Sequence, residues 1–543
     1  MFWLVSRFGF CALTGYDRVV VRKLPIGIQT FAEIIEKDAV YVDKTRFLYT
    51  LASGSAKNFF LSRPRRFGKS LTISTLDALF NCKRDLFKGL WIDTSDYQWK
   101  AFPVLRFDFS EIGRETPEQL TQGIQHVLGR YASTYSIELD TRLPVSTQLG
   151  DLVRALSKDI GKAVVLIDEY DKPMLDAIEE PDKARANREV LRNFYGVLKS
   201  LDEHLRFVFL TGVTKFSQVS VFSGLNNLQD LTLDSAYGAL CGYTQEELEH
   251  YFAEHLKAFG DAQGLTREET LEKFKFWYNG YQFSDSPPKV YNPFSTLNSF
   301  SQNKFLAKWF ESGTPTFLLK QIEKSAYNVP NLDNVQLSPP GFSAADIDNM
   351  NIETLLFQTG YLTIASHDRQ WDLYTLDFPN FEVKNGFYTH LTEYFAGLGQ
   401  GTGGSLIRDM IVSLRKEDLN GFFSALETFF ANIPYTLQSK ADEKYYQSLF
   451  HSVMVLVGLN VPSEVHTNKG RIDTVIELSD KIYIFEFKIV LSAAEPVEAA
   501  KDALAQIQNR GYAQKYRASG KAIHQIGAAF DRGNRNIGAW VSA

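Results

Sequence analysis

Between residues 24 and 235, short apolar runs alternate with stretches whose apolar residues recur every three or four positions. The runs Asn58–Leu61, Val104–Phe109, Ala163–Ile167 and Arg206–Leu210 read as strands and the stretches between them as amphipathic helices, which together specify a parallel α/β sheet. Ala163-Val-Val-Leu-Ile167 is apolar throughout, as a strand buried on both faces must be. From Thr244 the reading turns helical, with Thr244-Gln-Glu-Glu247 as a capping box that opens a helix. Ser284-Asp-Ser-Pro-Pro288 and Ser338-Pro-Pro-Gly341 read as loops, and Gly397-Leu-Gly-Gln-Gly-Thr-Gly-Gly404 as a linker. Beyond it, Gly470–Leu478 and Lys481–Ile489 read as two strands joined by the two-residue turn Ser479-Asp480. The expected organisation is a leader without a fold of its own over 1–23, an α/β domain over 24–235, a mostly helical lid or linker over 236–404, and a second α/β domain over 405–543.

The two-residue turn fixes a register. Residue 478 faces 481, and five steps outward Asp473 faces Glu486. Opposed residues on antiparallel strands have Cβ atoms about 5 Å apart, where like charges repel. Two carboxylates so placed call for a divalent cation of the oxygen-seeking kind, magnesium. Side chains alternate along a strand, so Glu486 and Lys488 share one face while Phe485 and Phe487 turn to a core. Two acids and an ammonium on one rigid hairpin outline a metal-dependent phosphodiester-cutting centre.

A second chemistry follows the first strand. Ser62-Arg-Pro-Arg-Arg-Phe-Gly-Lys-Ser70 leads from Asn58–Leu61 into a helix that begins at Leu71. Strand, loop, Gly-Lys-Ser and helix is the setting of a phosphate-binding loop. Backbone N–H groups from Arg65, Arg66, Phe67, Gly68 and Leu71 would cradle phosphate, Lys69 would reach the β- and γ-phosphates, and Ser70 would hold magnesium. Arg63 stands where such loops have their first glycine, so its side chain is expected to tighten or distort the turn. Arg65 and Arg66 could face phosphate or nucleic acid. Asp168-Glu169 end the apolar strand at its carboxyl end, where ligands of α/β sheets bind. Asp168 is expected to hold magnesium through water and Glu169 to act as general base. At the next strand end, Thr211 or Thr214 would sense the γ-phosphate, with a plain strand-ending turn as the competing reading.

Composition narrows this picture. Across 543 residues, 44% hydrophobic and 22% charged content describe an ordinary globular chain long enough for several domains. A net charge of −6 rules out a uniformly basic nucleic-acid binder, but from 501 onward seven basic residues face two acidic ones. That patch fits a phosphate backbone as well as it fits a solvated helix face. Three cysteines without a paired spacing indicate neither disulfides nor zinc, which fits a reducing cytoplasm. Arg7 interrupts the apolar start at Met1–Leu13, against a signal peptide, and no run is long enough to span a membrane. No Ser-His-Asp arrangement stands out among nine histidines. The aromatic clusters Trp277–Tyr281 and Tyr291–Phe294 read first as packing, with base stacking the alternative.

The hairpin residues Asp473, Glu486 and Lys488 resemble the PD-(D/E)XK nuclease superfamily. By that resemblance Asp473 and Glu486 hold magnesium and Lys488 assists the attacking water. Glu443 matches the acidic residue of the first helix, and Gln506 with Tyr512 a polar signature on a later helix, Gln508 offering a second register. More broadly, Leu24–Ile28, Tyr41–Thr45, Phe60–Ser70, Leu166–Pro173, Thr211–Ser217, Trp277–Tyr281, Tyr291–Phe294 and Trp309–Pro315 resemble the AAA-ATPase-like prokaryotic proteins with a C-terminal PD-(D/E)XK nuclease domain. Within that family Arg63 is usual. The resemblance implies a P-loop fold, ATP and magnesium and a role in mobile elements or defence; a nucleic acid partner is expected (DNA before RNA), and a homo-oligomer is left open. A nucleotide-switched binding or signalling protein that no longer cuts, or a nuclease acting on RNA, is the alternative.

Overall fold

The computed structural model describes residues 21–113, 115–215, 227–286, 288–312, 316–325, 327–343, 351–397, 403–433, 443–459, 474–478, 480–490 and 495–543. The strands expected in the first domain form as β1 (Asn58–Ser62), β2 (Val104–Asp108), β3 (Ala163–Asp168) and β4 (Leu205–Gly212), joined by β5 (Gln229–Asp230). They make a parallel sheet in the order β2-β3-β4-β1-β5. Alternate residues feed two apolar layers: Phe59, Leu61, Val164, Leu166, Phe207 and Phe209 enter one, and Phe60, Leu105, Phe107, Val165, Ile167, Val208 and Leu210 the other. Burying each such side chain contributes about 1.5–3 kcal/mol, so the central strands hold one register firmly. Because β4 lies between β1 and β3, the loop after β1 and the acids after β3 converge on the carboxyl end of β4.

The fold begins ahead of residue 24. Lys23 bridges Ala39, and the Arg22 carbonyl lies 3.1 Å from His255 Nε2, so the last residues of the segment expected as a leader over 1–23 already join the fold, while 1–20 lie outside the described residues. The middle region is mostly helical, and the expected capping box at Thr244 is present with a second at Thr266. It also contains β6 (Val335–Leu337), β7 (Thr363–Asp368) and β8 (Leu373–Asp377) in an antiparallel sheet that the helical reading passed over. Of Ser338–Gly341, expected as loop, residues 339–341 belong to a 3-10 turn, Pro339–Ser343. No described helix is long and apolar enough to cross a membrane.

Glu382 stitches this region together. Its Oε1 accepts from Ser295 Oγ (2.9 Å), Lys308 N (2.7 Å) and Trp309 N (2.9 Å). Burial outweighs those donors and pushes the carboxyl from an ordinary 4.5 up to about 7. A carboxyl whose folded pKa exceeds its unfolded one stabilises the fold fully below about pH 4.5 and loses that contribution as pH rises through about 7. Between pH 5 and 8, wild type should therefore lose about 3 kcal/mol of urea-unfolding free energy relative to Glu382→Gln. Parallel pH curves for the two proteins would contradict this.

The last domain contains β9 (Thr474–Glu477), β10 (Lys481–Val490), β11 (Ala522–Asp531) and β12 (Asn536–Ser542), ordered β12-β11-β10-β9. Helix Pro496–Asn509 approaches one face so closely that a Cβ on Gly527 would lie 2.2 Å from the Ala500 carbonyl. Helices Gly403–Arg415 and Leu419–Ala431 serve the same domain: Phe422 packs on Phe485 (5.4 Å), Phe423 stacks on Trp540 (4.7 Å) and Tyr483 donates to the Leu414 carbonyl (2.6 Å). Of the expected linker, 398–402 lie outside the described residues, while Gly403 and Gly404 begin a helix instead.

Candidate functional sites

The first site forms where β1, β3 and β4 end. The loop leaves β1 and enters helix Lys69–Phe80 through Gly68, whose φ of +96° a side chain would strain. Nothing lies within 4 Å of a Cβ built there, so the loop faces open space. Lys69 Nζ donates to the carbonyls of Arg63 and Pro64, both at 2.9 Å. Burial lowers its pKa, and the charges of Asp168, Glu169 and Asp171 oppose that. Ser70 and Leu71 occupy the first turn of the helix, half-buried.

Arg63 corrects the expectation of a distorted loop. Its guanidinium turns inward and donates to the carbonyls of Ser62 (2.9 Å), Thr232 (2.9 Å) and Tyr237 (3.2 Å), with Phe283 beneath it at 4.3 Å. It pins the end of β1 from inside and leaves the phosphate face clear. Phe67 is likewise buried, edge-on to Tyr281 (4.7 Å) and Phe283 (5.4 Å), so only its backbone can serve a ligand. Arg66, at φ +67°, lies over Phe294 at 4.7 Å; Arg65 is exposed.

Asp168 is buried at the end of β3. Its Oδ1 accepts from Thr211 Oγ1 (2.6 Å) and Glu169 N (3.1 Å), while its Oδ2 is buried with no hydrogen-bond partner. Leaving a buried carboxylate oxygen unpaired costs roughly 1–3 kcal/mol, and a hydrated cation beside it would remove that cost. These residues fit magnesium. Glu169 adopts φ +52°, a strained conformation for a side-chain-bearing residue at a site of this kind. Burial raises its carboxyl pKa, and Lys172, 3.7 Å away, pulls it back. Asp171 was not singled out from sequence: it accepts from Val213 N (3.1 Å), Thr214 N (2.7 Å) and Thr214 Oγ1 (2.7 Å), fixing the segment after β4. The two threonine candidates thus divide, Thr211 serving Asp168 and Thr214 serving Asp171.

The second site lies on β10. Its register against β9 runs Ile482↔Glu477, Tyr483↔Ile476, Ile484↔Val475 and Phe485↔Thr474, with Leu478 N donating to the Lys481 carbonyl (2.7 Å). Over these pairs that is the register read from sequence. Asp473 itself lies outside the described residues. Among the described residues no group of three His, Cys, Asp or Glu side chains could hold a metal. Lys488 Nζ donates to Gln506 Oε1 (2.7 Å), and Gln506 Nε2 donates to Glu486 Oε1. Gln506 therefore takes the bridging place, and Gln508 is exposed. Tyr512 accepts from Arg510 (3.0 Å). Glu443 begins helix Glu443–Leu459, which reaches β10 through Phe450 against Phe487, ring centroids 3.6 Å apart. The aromatic clusters pack, with Tyr278, Tyr281 and Tyr291 buried.

Known proteins resemble this chain over both regions. Residues 25–222 match the model described as Predicted AAA-ATPase, and residues 441–540 that of the PD-(D/E)XK nuclease superfamily. A protein of Azotobacter chroococcum, described only as an uncharacterized protein in the vnfD 5' region, is 39% identical over 533 residues, covering 96% of this chain and 98% of that one. Among solved structures, the Aeropyrum pernix ORC1 protein in complex with DNA aligns at 12% identity over 64% of this chain and 91% of its own, with a TM-score of 0.22. Drosophila ORC bound to GC-rich DNA and Cdc6 aligns at 12% over 83% of this chain and 80% of its own, with a TM-score of 0.24. Scores that low bear on neither fold nor function.

Proposed function

The chain belongs to the AAA-ATPase-like proteins with a C-terminal PD-(D/E)XK nuclease domain, and from that premise we propose that it binds and hydrolyses ATP and lets nucleotide state govern magnesium-dependent cleavage of DNA. The observation that carries this reading is the Glu486–Gln506–Lys488 network between β10 and helix Pro496–Asn509, in the same chain as a sheet that gathers Lys69, Asp168 and Thr211 at the carboxyl ends of its strands.

At the nucleotide site, Lys69 exchanges two loop carbonyls for the β- and γ-phosphates. Glu169 removes a proton from the attacking water, a role that a raised carboxyl pKa favours. Thr211 holds Asp168 in the rotamer that leaves Oδ2 toward the cation. At the nuclease centre Asp473 and Glu486 would hold the metal, Gln506 keeps Glu486 and Lys488 in one orientation, and Lys488 would stabilise charge on the cleaved phosphate. Magnesium, when bound, supplies charge neutralisation at the phosphate oxygens. Glu443, which matches the acidic residue of the superfamily's first helix, would serve the same centre, and the basic segment after 501 would follow the phosphate backbone. A cytoplasmic setting and a role in defence or mobile elements complete the reading.

The test is supercoiled plasmid incubated with purified full-length protein, magnesium and ATP. Nicked and linear products that require magnesium and increase with ATP are expected. Binding without nicks would overturn the cleavage reading in favour of a nucleotide-switched binding protein, and cleavage of RNA alone would overturn the DNA assignment.

A further inference from the structure

Helix Ile352–Thr359 touches both loops on which the nucleotide site depends. Near its end, Gln358 is buried: its Oε1 accepts from Lys215 N (3.0 Å), and its Nε2 donates to the Phe342 carbonyl (2.8 Å). Lys215 closes the segment that starts at Thr211, the partner of Asp168. Two residues beyond Gln358, Gly360 has φ +87°, and a Cβ on it would lie 2.6 Å from Pro64 Cβ and 3.3 Å from Trp309 Cζ2. One short stretch therefore rests on the segment after β4 through position 358 and on the loop after β1 through position 360.

The packing continues toward β10. Tyr361 meets Trp309 (4.9 Å) and Phe387 (5.6 Å), and Trp309 N donates to Glu382. On helix Phe381–Ala396, Tyr388 lies 3.5 Å from His451 Nε2, and the Phe395 carbonyl accepts from Tyr445. Both partners belong to helix Glu443–Leu459, whose Phe450 packs on Phe487 between Glu486 and Lys488.

Resting on the ATP-governed reading above, we propose that Gln358 is a positioning residue that transmits nucleotide occupancy from the Thr211–Lys215 segment to the nuclease strand. Only glutamine fits the task. Glutamate lacks the donor for the Phe342 carbonyl, methionine lacks both groups, and asparagine is one methylene short. Contiguous packing alone does not establish coupling, so the decisive measurement is whether the helix responds to nucleotide.

Hydrogen exchange on full-length protein carrying Glu169→Gln, with and without ATP and magnesium, provides it. ATP should slow exchange about tenfold in 62–70, in 352–362 and in 443–459. Adding Gln358→Met should keep the protection of 62–70, reduce the other two responses below about twofold, and bring the ratio of plasmid nicking with and without ATP to about one. Protection of 62–70 without any response in 352–362 overturns the inference, a result that needs no second variant to fold. Persistence of the response in Gln358→Met overturns it equally. No protection at 62–70 would instead sink the ATP reading, and this inference with it.

Discussion

Lys69→Ala should lower ATP hydrolysis by about a hundred- to a thousandfold, the usual loss when one preorganised charge at a reacting phosphate is removed. The ammonium sits at the entrance of helix Lys69–Phe80 and donates, among the described residues, to the carbonyls of Arg63 and Pro64, two weak holds that a phosphate would outcompete. The negative charges of Asp168, Glu169 and Asp171 act on it. Alanine removes the cation but leaves those three acids, so phosphate should meet net repulsion and binding should weaken as well. Folding is a separate matter: the cradle is held by Arg63 and Phe67 from below, and both remain. Thermal unfolding should therefore move little while hydrolysis collapses. Hydrolysis within threefold of wild type in a folded Lys69→Ala would remove the nucleotide site from this loop. If ATP governs cleavage, the same variant should also lose ATP-dependent nicking while its basal nicking stays measurable.

What could be read from the sequence was what local patterning controls. Ala163–Ile167 is a strand because five apolar residues without a break suit burial on both faces and little else. The β9–β10 register followed from turn length alone, since a two-residue turn leaves one way to pair the flanking residues. The Gly-Lys-Ser loop was legible because its strand and helix neighbours are short-range. Arg63 was not: nothing local says that its guanidinium finds the carbonyls of Thr232 and Tyr237, about 170 residues away, and so vacates the phosphate face. β5 is two residues long and polar, and β7, with Ser366, His367 and Asp368, is too polar to announce a strand. Gln358 was invisible for the same reason as Asp171, because each acts on backbone groups that tertiary folding alone brings near. Side chains that serve distant main-chain groups leave no periodicity behind.

At the second centre, Glu486→Gln and Lys488→Ala should each reduce plasmid cleavage by about a hundred- to a thousandfold while leaving ATP hydrolysis unchanged. Glu486→Gln keeps the volume and removes the charge that would hold a metal, so the fold of β10, flanked by the aromatic contacts of Phe485 and Phe487, should persist. Gln506 reaches the reacting atoms only through its neighbours: its carbonyl restrains Lys488 and its amide restrains Glu486. Gln506→Ala should accordingly lose less, about tenfold, and chiefly in kcat, since the groups remain but wander. The arrangement makes a sharper demand than either loss alone. If Gln506 acts through Lys488, then adding Gln506→Ala to Lys488→Ala should cost far less than Gln506→Ala costs in wild type, because the restrained group is already gone. Losses that simply multiply would mean that Gln506 does not act through Lys488, leaving its bond to Glu486 as the route of its effect.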